Sequence, residues 1–319
     1  MKFLLAQINP VVGDLEGNAK KILYIASKAF SISADFVLTP ELSLWGYPAN
    51  DLLLKRNLIK NQYQILDQLA LDINKKYGNL SITVGMAEMI NDSFFPNLYN
   101  SIALLKGGEW EIIARKIILP TYEVFDEKRY FRSEQKVSVL IKKIKNKTWR
   151  LGFTICEDLW VNKDIEGRGI HKKNPIIDLK KKKVDILVNL SASPYTFEKL
   201  ELRSKVSSFA AQYLQVPLIY VNQIGANDNL IFDGNSFILD KNGSKIKQLK
   251  SFSEDLSSWE IKQTKPQKNK FENSEMSSIF GALVLGVRDY AEKCGFKTAL
   301  IGLSGGIDSA LVSVIATAA

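Results

Sequence analysis

Apolar residues recur along the chain in two registers. Short continuous runs at residues 2–8, 80–86 and 184–190 predict buried strands, as does 35–39, which Pro40 closes so that Glu41 falls just past the strand end. Residues 18–32 instead carry Ile22, Ile25, Ala26 and Ala29 at helical spacing, and 51–77, 174–182 and 197–215 read as further helices. Runs at 99–105 and 109–116, joined by Lys106-Gly107-Gly108, predict a hairpin, and 236–239 with 244–249 predict another about a turn at 240–243. Strands at 137–141, 148–155 and 217–222 complete the set. Strands alternating with helices, with hairpins between, predict an α/β layered domain over residues 1–255. Residues 256–274 turn polar and lysine-rich and read as a linker. Beyond it, 275–319 begins a second unit: a helix to 294, a buried strand at 298–303, and a glycine turn opening a last helix.

Composition narrows the class. At 319 residues and 46% hydrophobic, the chain can bury a full core. Its two cysteines, Cys156 and Cys294, have no disulfide-like spacing, which predicts a reducing cytoplasmic setting. The N-terminal run is cut short by Asn9-Pro10, too soon for a signal peptide, and no apolar run nears the ~20 residues of a membrane span. A net charge of +9 invites a nucleic-acid reading. The lysines, however, cluster at 142–147, 180–183 and 262–270, on turns, a helix end and the linker, without interleaved aromatics, so a solvated surface and no nucleic-acid partner are expected.

Candidate chemistry starts at Cys156, where the apolar run 152–155 stops at a cysteine followed by Glu157 and Asp158. A packing cysteine belongs inside such a run, whereas one at a strand end can face a cleft as a nucleophile; this segment alone leaves both readings open. A thiolate needs a base. The single histidine, His171, lies in a basic loop that leaves the imidazole exposed, which makes a Cys-His pair improbable. Glu41, released at a strand end, is the natural substitute, since partial burial raises a carboxyl toward neutrality; a glutamate capping the next helix is the alternative. Lys116, at another strand end, could hold a positive charge over the cleft, favouring the thiolate and an oxyanion, or be one more surface lysine.

Taken together, Pro40-Glu41, Arg115-Lys116 followed by Leu119-Pro120, and Ile155-Cys156-Glu157-Asp158 resemble, in order and spacing, the Glu-Lys-Cys constellation of the carbon-nitrogen hydrolase (nitrilase) superfamily. The segments 41–48, 122–131, 156–160 and 191–195 look like the glutaminase domain of the glutamine-dependent NAD synthetases. The resemblance implies a nitrilase-like four-layer αββα sandwich. It implies Glu41 as general base, Lys116 as oxyanion stabiliser and Cys156 as the nucleophile that forms a glutamyl thioester and releases ammonia. It further implies glutamine held by Tyr122, Ser193 and Lys199, with Phe125 and Glu157 completing the pocket. An amino-acid substrate needs a carboxylate partner, an ammonium partner and an apolar wall, which Lys199, Glu157 and Tyr122 could supply; packing is the other reading of Tyr122 and Phe125.

A second motif stands apart. Ser304-Gly305-Gly306-Ile307-Asp308-Ser309, after Gly302-Leu303, lacks the lysine of a Walker loop, yet two glycines between a strand and a helix let backbone N–H groups converge on a phosphate. The pattern resembles the pyrophosphate loop of ATP pyrophosphatases and implies ATP binding by residues 302–309, at the start of an α/β domain of the adenine nucleotide alpha hydrolase type. In the family an entire synthetase domain follows, so ending at Ala319 makes a fragment or a truncated gene product the expectation, with synthetase activity not expected of this chain. The implied complete enzyme takes L-glutamine, deamido-NAD and ATP, uses Mg²⁺, has no metal site in the glutaminase part and forms homo-oligomers. A stand-alone amidase of the superfamily and a non-catalytic remnant are the alternatives, and loop 302–309, for which such an amidase has no use, separates the first of them.

Overall fold

The computed structural model describes residues 1–91, 95–144, 146–161, 173–262 and 275–319. His171 and most of the expected linker and of its lysine cluster lie outside the described residues. In chain order the elements are β1 (Lys2–Gln7), α1 (Leu15–Ser31), β2 (Phe36–Leu38), α2 (Arg56–Tyr77), β3 (Ser81–Met89), β4 (Leu98–Lys106), β5 (Glu109–Arg115), β6 (Ser138–Ile144), β7 (Lys147–Ile155) and α3 (Pro175–Lys181). They continue with β8 (Ile186–Ser191), α4 (Lys199–Leu214), β9 (Leu218–Asn222), β10 (Ile224–Asn227), β11 (Leu230–Asp233), β12 (Phe237–Leu239), β13 (Lys245–Gln248), β14 (Asp255–Glu260), α5 (Glu275–Lys293) and α6 (Ile307–Ala318).

Two six-stranded sheets, ordered β14-β1-β2-β3-β4-β5 and β13-β12-β9-β8-β7-β6, pack face to face. Side-chain alternation along each strand makes this possible. Phe3 and Leu5 of β1 meet Phe153 and Ile155 of β7 and Val188 of β8 between the sheets. Leu4 and Ala6 of the same β1 point the other way, onto Ile22 and Ile25 of α1 and Leu66 and Leu69 of α2. Across the molecule, Leu187 and Leu218 pack under Ile176 and Leu179 of α3 and Val206 and Ala210 of α4. The layers therefore run α-β-β-α, the sandwich expected from the resemblance. Strands β1, β2 and β3 run parallel, as do β7, β8 and β9, so each trio delivers its C-terminal ends to one edge of its sheet.

Three stretches differ from the sequence reading. Residues 255–260, read as the end of the domain and the start of the linker, form β14, which pairs antiparallel with β1 from Lys2↔Glu260 to Gln7↔Asp255 and closes the first sheet. Residues 224–233, to which the sequence reading assigned no element, form the β10–β11 hairpin, on which α5 rests. The strand expected at 298–303 is absent: these residues adopt no regular structure, and Leu300 and Leu303 are exposed. An apolar hexapeptide becomes a strand only beside a neighbour that completes its ladder, and no described strand borders it.

Candidate active site

Glu41 reaches the interior through the bend that follows β2. Gly85 of β3 leaves room for it: a Cβ there would stand 2.2 Å from the Leu42 nitrogen and 2.7 Å from the Pro40 carbonyl oxygen. The bend is tied down where the Gly85 N–H donates to Ser43 Oγ at 2.9 Å and the Leu44 N–H donates to the Gly85 carbonyl at 3.0 Å. Lys116 follows β5 directly, and its backbone N–H donates to the Asn100 carbonyl at 2.8 Å. Cys156 follows β7 in a left-handed conformation, φ +45°, sparsely populated by non-glycine residues and typical of positions where function holds the backbone. Asp158 fixes that turn: its carboxylate accepts from the Ile155 N–H at 3.0 Å and from the Ile117 and Ile118 N–H groups at 3.0 and 2.8 Å. One buried carboxylate thus ties the end of β7 to the residues just after Lys116, across the gap between the sheets.

The side chains converge. Lys116 Nζ donates to Glu41 Oε1 and to Glu127 Oε1, each at 2.6 Å, and all three residues are buried. Asn100 Nδ2 donates to the same Glu41 oxygen at 2.7 Å, and the Ala192 N–H donates to the other at 2.9 Å. Tyr47 OH donates to Glu127 at 2.8 Å. Glu41 is thereby held with both oxygens engaged, and Lys116 has two of its three N–H bonds committed to carboxylates. Cys156, 4% exposed, lies within electrostatic reach of Glu41, Lys116, Glu157 and Glu127.

The charge balance sets the resting protonation. Burial, then Glu41, pushes the Cys156 thiol well above its ordinary range, with Lys116 opposing. The sequence-based expectation that the lysine favours the thiolate holds in sign but is outweighed: the resting sulfur is a thiol and needs a base. Lys116 stays firmly protonated, because Glu127 and Glu41 overcome the burial that would discharge it. Burial pushes Glu127 up to about 7, against Lys116 and with Glu41. Burial likewise lifts Asp158 to about 6, against its three N–H donors and Lys116.

The residues expected to hold glutamine fall around this centre in two groups. Tyr122 OH donates to Glu157 Oε1 at 2.8 Å, and the Tyr122 ring meets Phe125 edge-on at 5.5 Å. Tyr122 is therefore a polar anchor for Glu157 as well as an apolar wall. Ser193 lies in the loop after β8, its N–H donating to Asn222 Oδ1 at 2.9 Å and its Oγ accepting from Arg203 Nε at 3.1 Å. Lys199 begins α4 with its ammonium 4.9 Å from the centre of the Trp160 ring. Residues 302–309 stand away from all of these: Gly302, Leu303, Ser304, Gly305, Gly306, Ile307 and Asp308 are exposed and Ser309 half-buried, with Gly305 at φ +84°. Pattern reading did not single out Glu127, Asn100, Tyr47 or Arg203. Glu127 sits within segment 122–131, where Glu123 and Asp126 stand beside it and no local pattern separates the one buried acid from the two exposed ones.

Residues 5–268 match the carbon-nitrogen hydrolase family and residues 279–319 match NAD synthase. The chain is 42% identical over 320 residues to the glutamine-dependent NAD(+) synthetase of Synechocystis sp., covering 99% of this chain and 57% of that one. It is 36% identical to the Acinetobacter baylyi enzyme of the same name, covering 99% and 55%. Among solved structures, the glutamine-dependent NAD+ synthetase of Acinetobacter baumannii in complex with adenosine diphosphate superposes with a TM-score of 0.85 at 35% identity, covering 99% of this chain and 57% of that one. An amidase of the nitrilase superfamily from Nesterenkonia shares the fold, with a TM-score of 0.65 at 18% identity. The chain thus spans little more than half the length of the curated relatives it matches.

Proposed function

The chain belongs to the carbon-nitrogen hydrolase family, and from that footing we propose that its buried centre hydrolyses L-glutamine through a thioester on Cys156, as the glutaminase part of a glutamine-dependent NAD synthetase. The observation that carries the reading is a single ammonium, Lys116, clamped between Glu41 and Glu127 beside a buried thiol.

Glu41 takes the proton from the Cys156 thiol as the sulfur attacks the amide carbon of glutamine. The carbonyl oxygen becomes an oxyanion, faced by the third N–H of Lys116, an interaction worth about 3 kcal/mol for one well-placed donor. Collapse breaks the C–N bond, and Glu41 returns the proton to the leaving nitrogen, which departs as ammonia. A water deprotonated by Glu41 then attacks the thioester and frees glutamate and the thiol. Glu157, oriented by Tyr122, suits the substrate α-ammonium, and Lys199 with Ser193 suits its α-carboxylate, while Phe125 and the Tyr122 ring wall the methylenes.

Ammonia would then serve the ATP-dependent amidation of deamido-NAD by the complete enzyme. ATP is supported by the NAD synthase match over 279–319 and by the glycine loop 302–309 opening α6, whose N–H groups suit a phosphate. For Mg²⁺ the described residues offer no group of three or more His, Cys, Asp or Glu side chains arranged to hold a metal ion. We place the division between the two units after β14, in residues 261–274, and read the complete enzyme as a cytoplasmic homo-oligomer.

Ammonia release from L-glutamine tests the reading. The chain should produce ammonia, and Cys156→Ala should lower turnover by a factor of at least about 10³, the scale of losing a covalent nucleophile. Unchanged turnover in the variant, or simple aliphatic amides cleaved as fast as glutamine, would overturn it.

A further inference from the structure

Helix α5 lies beyond the family match at 5–268, yet it is bound to the catalytic centre by an unbroken series of polar contacts. Asp289 of α5, 2% exposed, accepts through Oδ2 from Asn9 Nδ2 and from the Ala226 N–H, both at 2.7 Å. Lys293, one turn on, pairs with Asp289 at 3.0 Å and donates to Asn9 Oδ1, the Ala226 carbonyl and Asn227 Oδ1 at 2.7, 2.9 and 2.8 Å. The approach is close because residue 225 is glycine: a Cβ there would stand 2.0 Å from Asn9 Oδ1 and 2.9 Å from Asp289 Oδ2.

Asn227, with its acceptor taken by Lys293, turns its amide inward and donates to the Tyr47 carbonyl at 2.9 Å. Gln223 Nε2 reaches the same carbonyl at a longer 3.3 Å. Tyr47, buried against Phe125 and Phe232, donates its hydroxyl to Glu127, and Glu127 holds Lys116. The Asn227 amide is engaged at both ends, its oxygen by Lys293 and its nitrogen by the Tyr47 carbonyl, so it cannot flip without losing both neighbours.

We infer that Asp289, Lys293 and Asn227 are positioning residues for the glutaminase centre: α5 docked on the β10–β11 hairpin fixes Tyr47, and through Glu127 the direction of the Lys116 ammonium. This rests on the reading of Glu41, Lys116 and Cys156 given above. Undocking α5 releases the Asn227 amide and leaves the Tyr47 carbonyl with the longer Gln223 contact alone, so the Tyr47 hydroxyl drifts from Glu127 and Lys116 keeps Glu41 as its one fixed partner. The ammonium then swings off the line to the oxyanion, a sub-ångström to ångström error at the reacting centre that costs rate rather than substrate binding.

Asp289→Ala, Lys293→Met and Asn227→Ala test this in the full chain, with Arg288→Met as the control, since Arg288 sits on α5 but donates to the Ala318 and Ala319 carbonyls of the α6 end. Asn227→Ala leaves the Asp289 contacts to Asn9 and Ala226 in place and so separates docking from relay. Two readouts are taken. The first is kcat and KM for ammonia release from glutamine. The second is the rate at which iodoacetamide alkylates Cys156, followed by peptide mass so that exposed Cys294 does not interfere. The expected result is a kcat about tenfold lower with KM within twofold, and severalfold slower alkylation, because a displaced Lys116 no longer favours the thiolate, in the three variants but not in Arg288→Met. Unchanged rates in the three, or an equal loss in Arg288→Met, would overturn the inference. Should the wild type release no ammonia from glutamine, the proposed function falls, while the alkylation rates still decide whether α5 positions the centre.

Discussion

The protonation state of one sulfur governs the chemistry at the residue scale. Cys156 is held as a thiol by burial first and by the negative charge of Glu41 second, against the pull of Lys116. Glu41 therefore acts on the thiol in two opposed ways: its charge keeps the proton on, and its basicity is what removes it during attack. Glu41→Gln separates the two. Without the charge the thiolate forms at lower pH, so the pH midpoint for alkylation of Cys156 should move down. Without the base, turnover should fall by about 10² to 10⁴. Parallel pH–alkylation and pH–turnover profiles check this, and a midpoint that rises or stays put would show that Glu41 does not face the sulfur. Glu127 needs different handling, because burial lifts it to about 7 and its charge varies across the neutral range, with Tyr47 and Lys116 as its fixed donors.

Among the elements, the ends of the strands carry the site, whether the strand is short like β2 or long like β7. β2 keeps only three residues in its ladder, so that residues 39–44 can bend across β3 at Gly85 and bring Glu41 inward. Gly85→Ala puts a methyl into that bend; overpacking of this kind costs about 1–3 kcal/mol, or roughly 2–10 °C in a domain of this size. Thermal unfolding should show that fall, and ammonia release should fall further than stability alone predicts, since the bend carries the base. An unperturbed variant would mean that the backbone gives way without moving Glu41. The helices and most strands of residues 1–255 were legible because their apolar positions repeat at 3.6 or lie in continuous buried runs. β14 was not, because Asp255-Leu256-Ser257-Ser258-Trp259-Glu260 is a polar edge strand that buries Trp259 alone and finds its partner, β1, some 250 residues earlier. The run at 298–303 misled in the opposite way, being apolar without a ladder to join.

Taken whole, the molecule uses its two sheets as the jaws of one site. Glu41 and Lys116 come from the first, Cys156 and Ser193 from the second, and Asp158 binds the two at the seam. Sequence could mark those residues singly, by their place at the ends of apolar runs, and their joint spacing carried the family resemblance. It could not show Glu127 under Lys116, Arg203 under Ser193 or Asn227 under Tyr47, because each of those contacts joins segments through a fold that no local pattern encodes. The central claim is that the sulfur of Cys156 is the atom that glutamine meets. Treating the chain with a diazoketone analogue of glutamine and mapping the adduct by peptide mass addresses it directly. The account predicts one adduct, on Cys156, suppressed by excess L-glutamine; an adduct on Cys294 instead, or none on a chain that still releases ammonia, would contradict it.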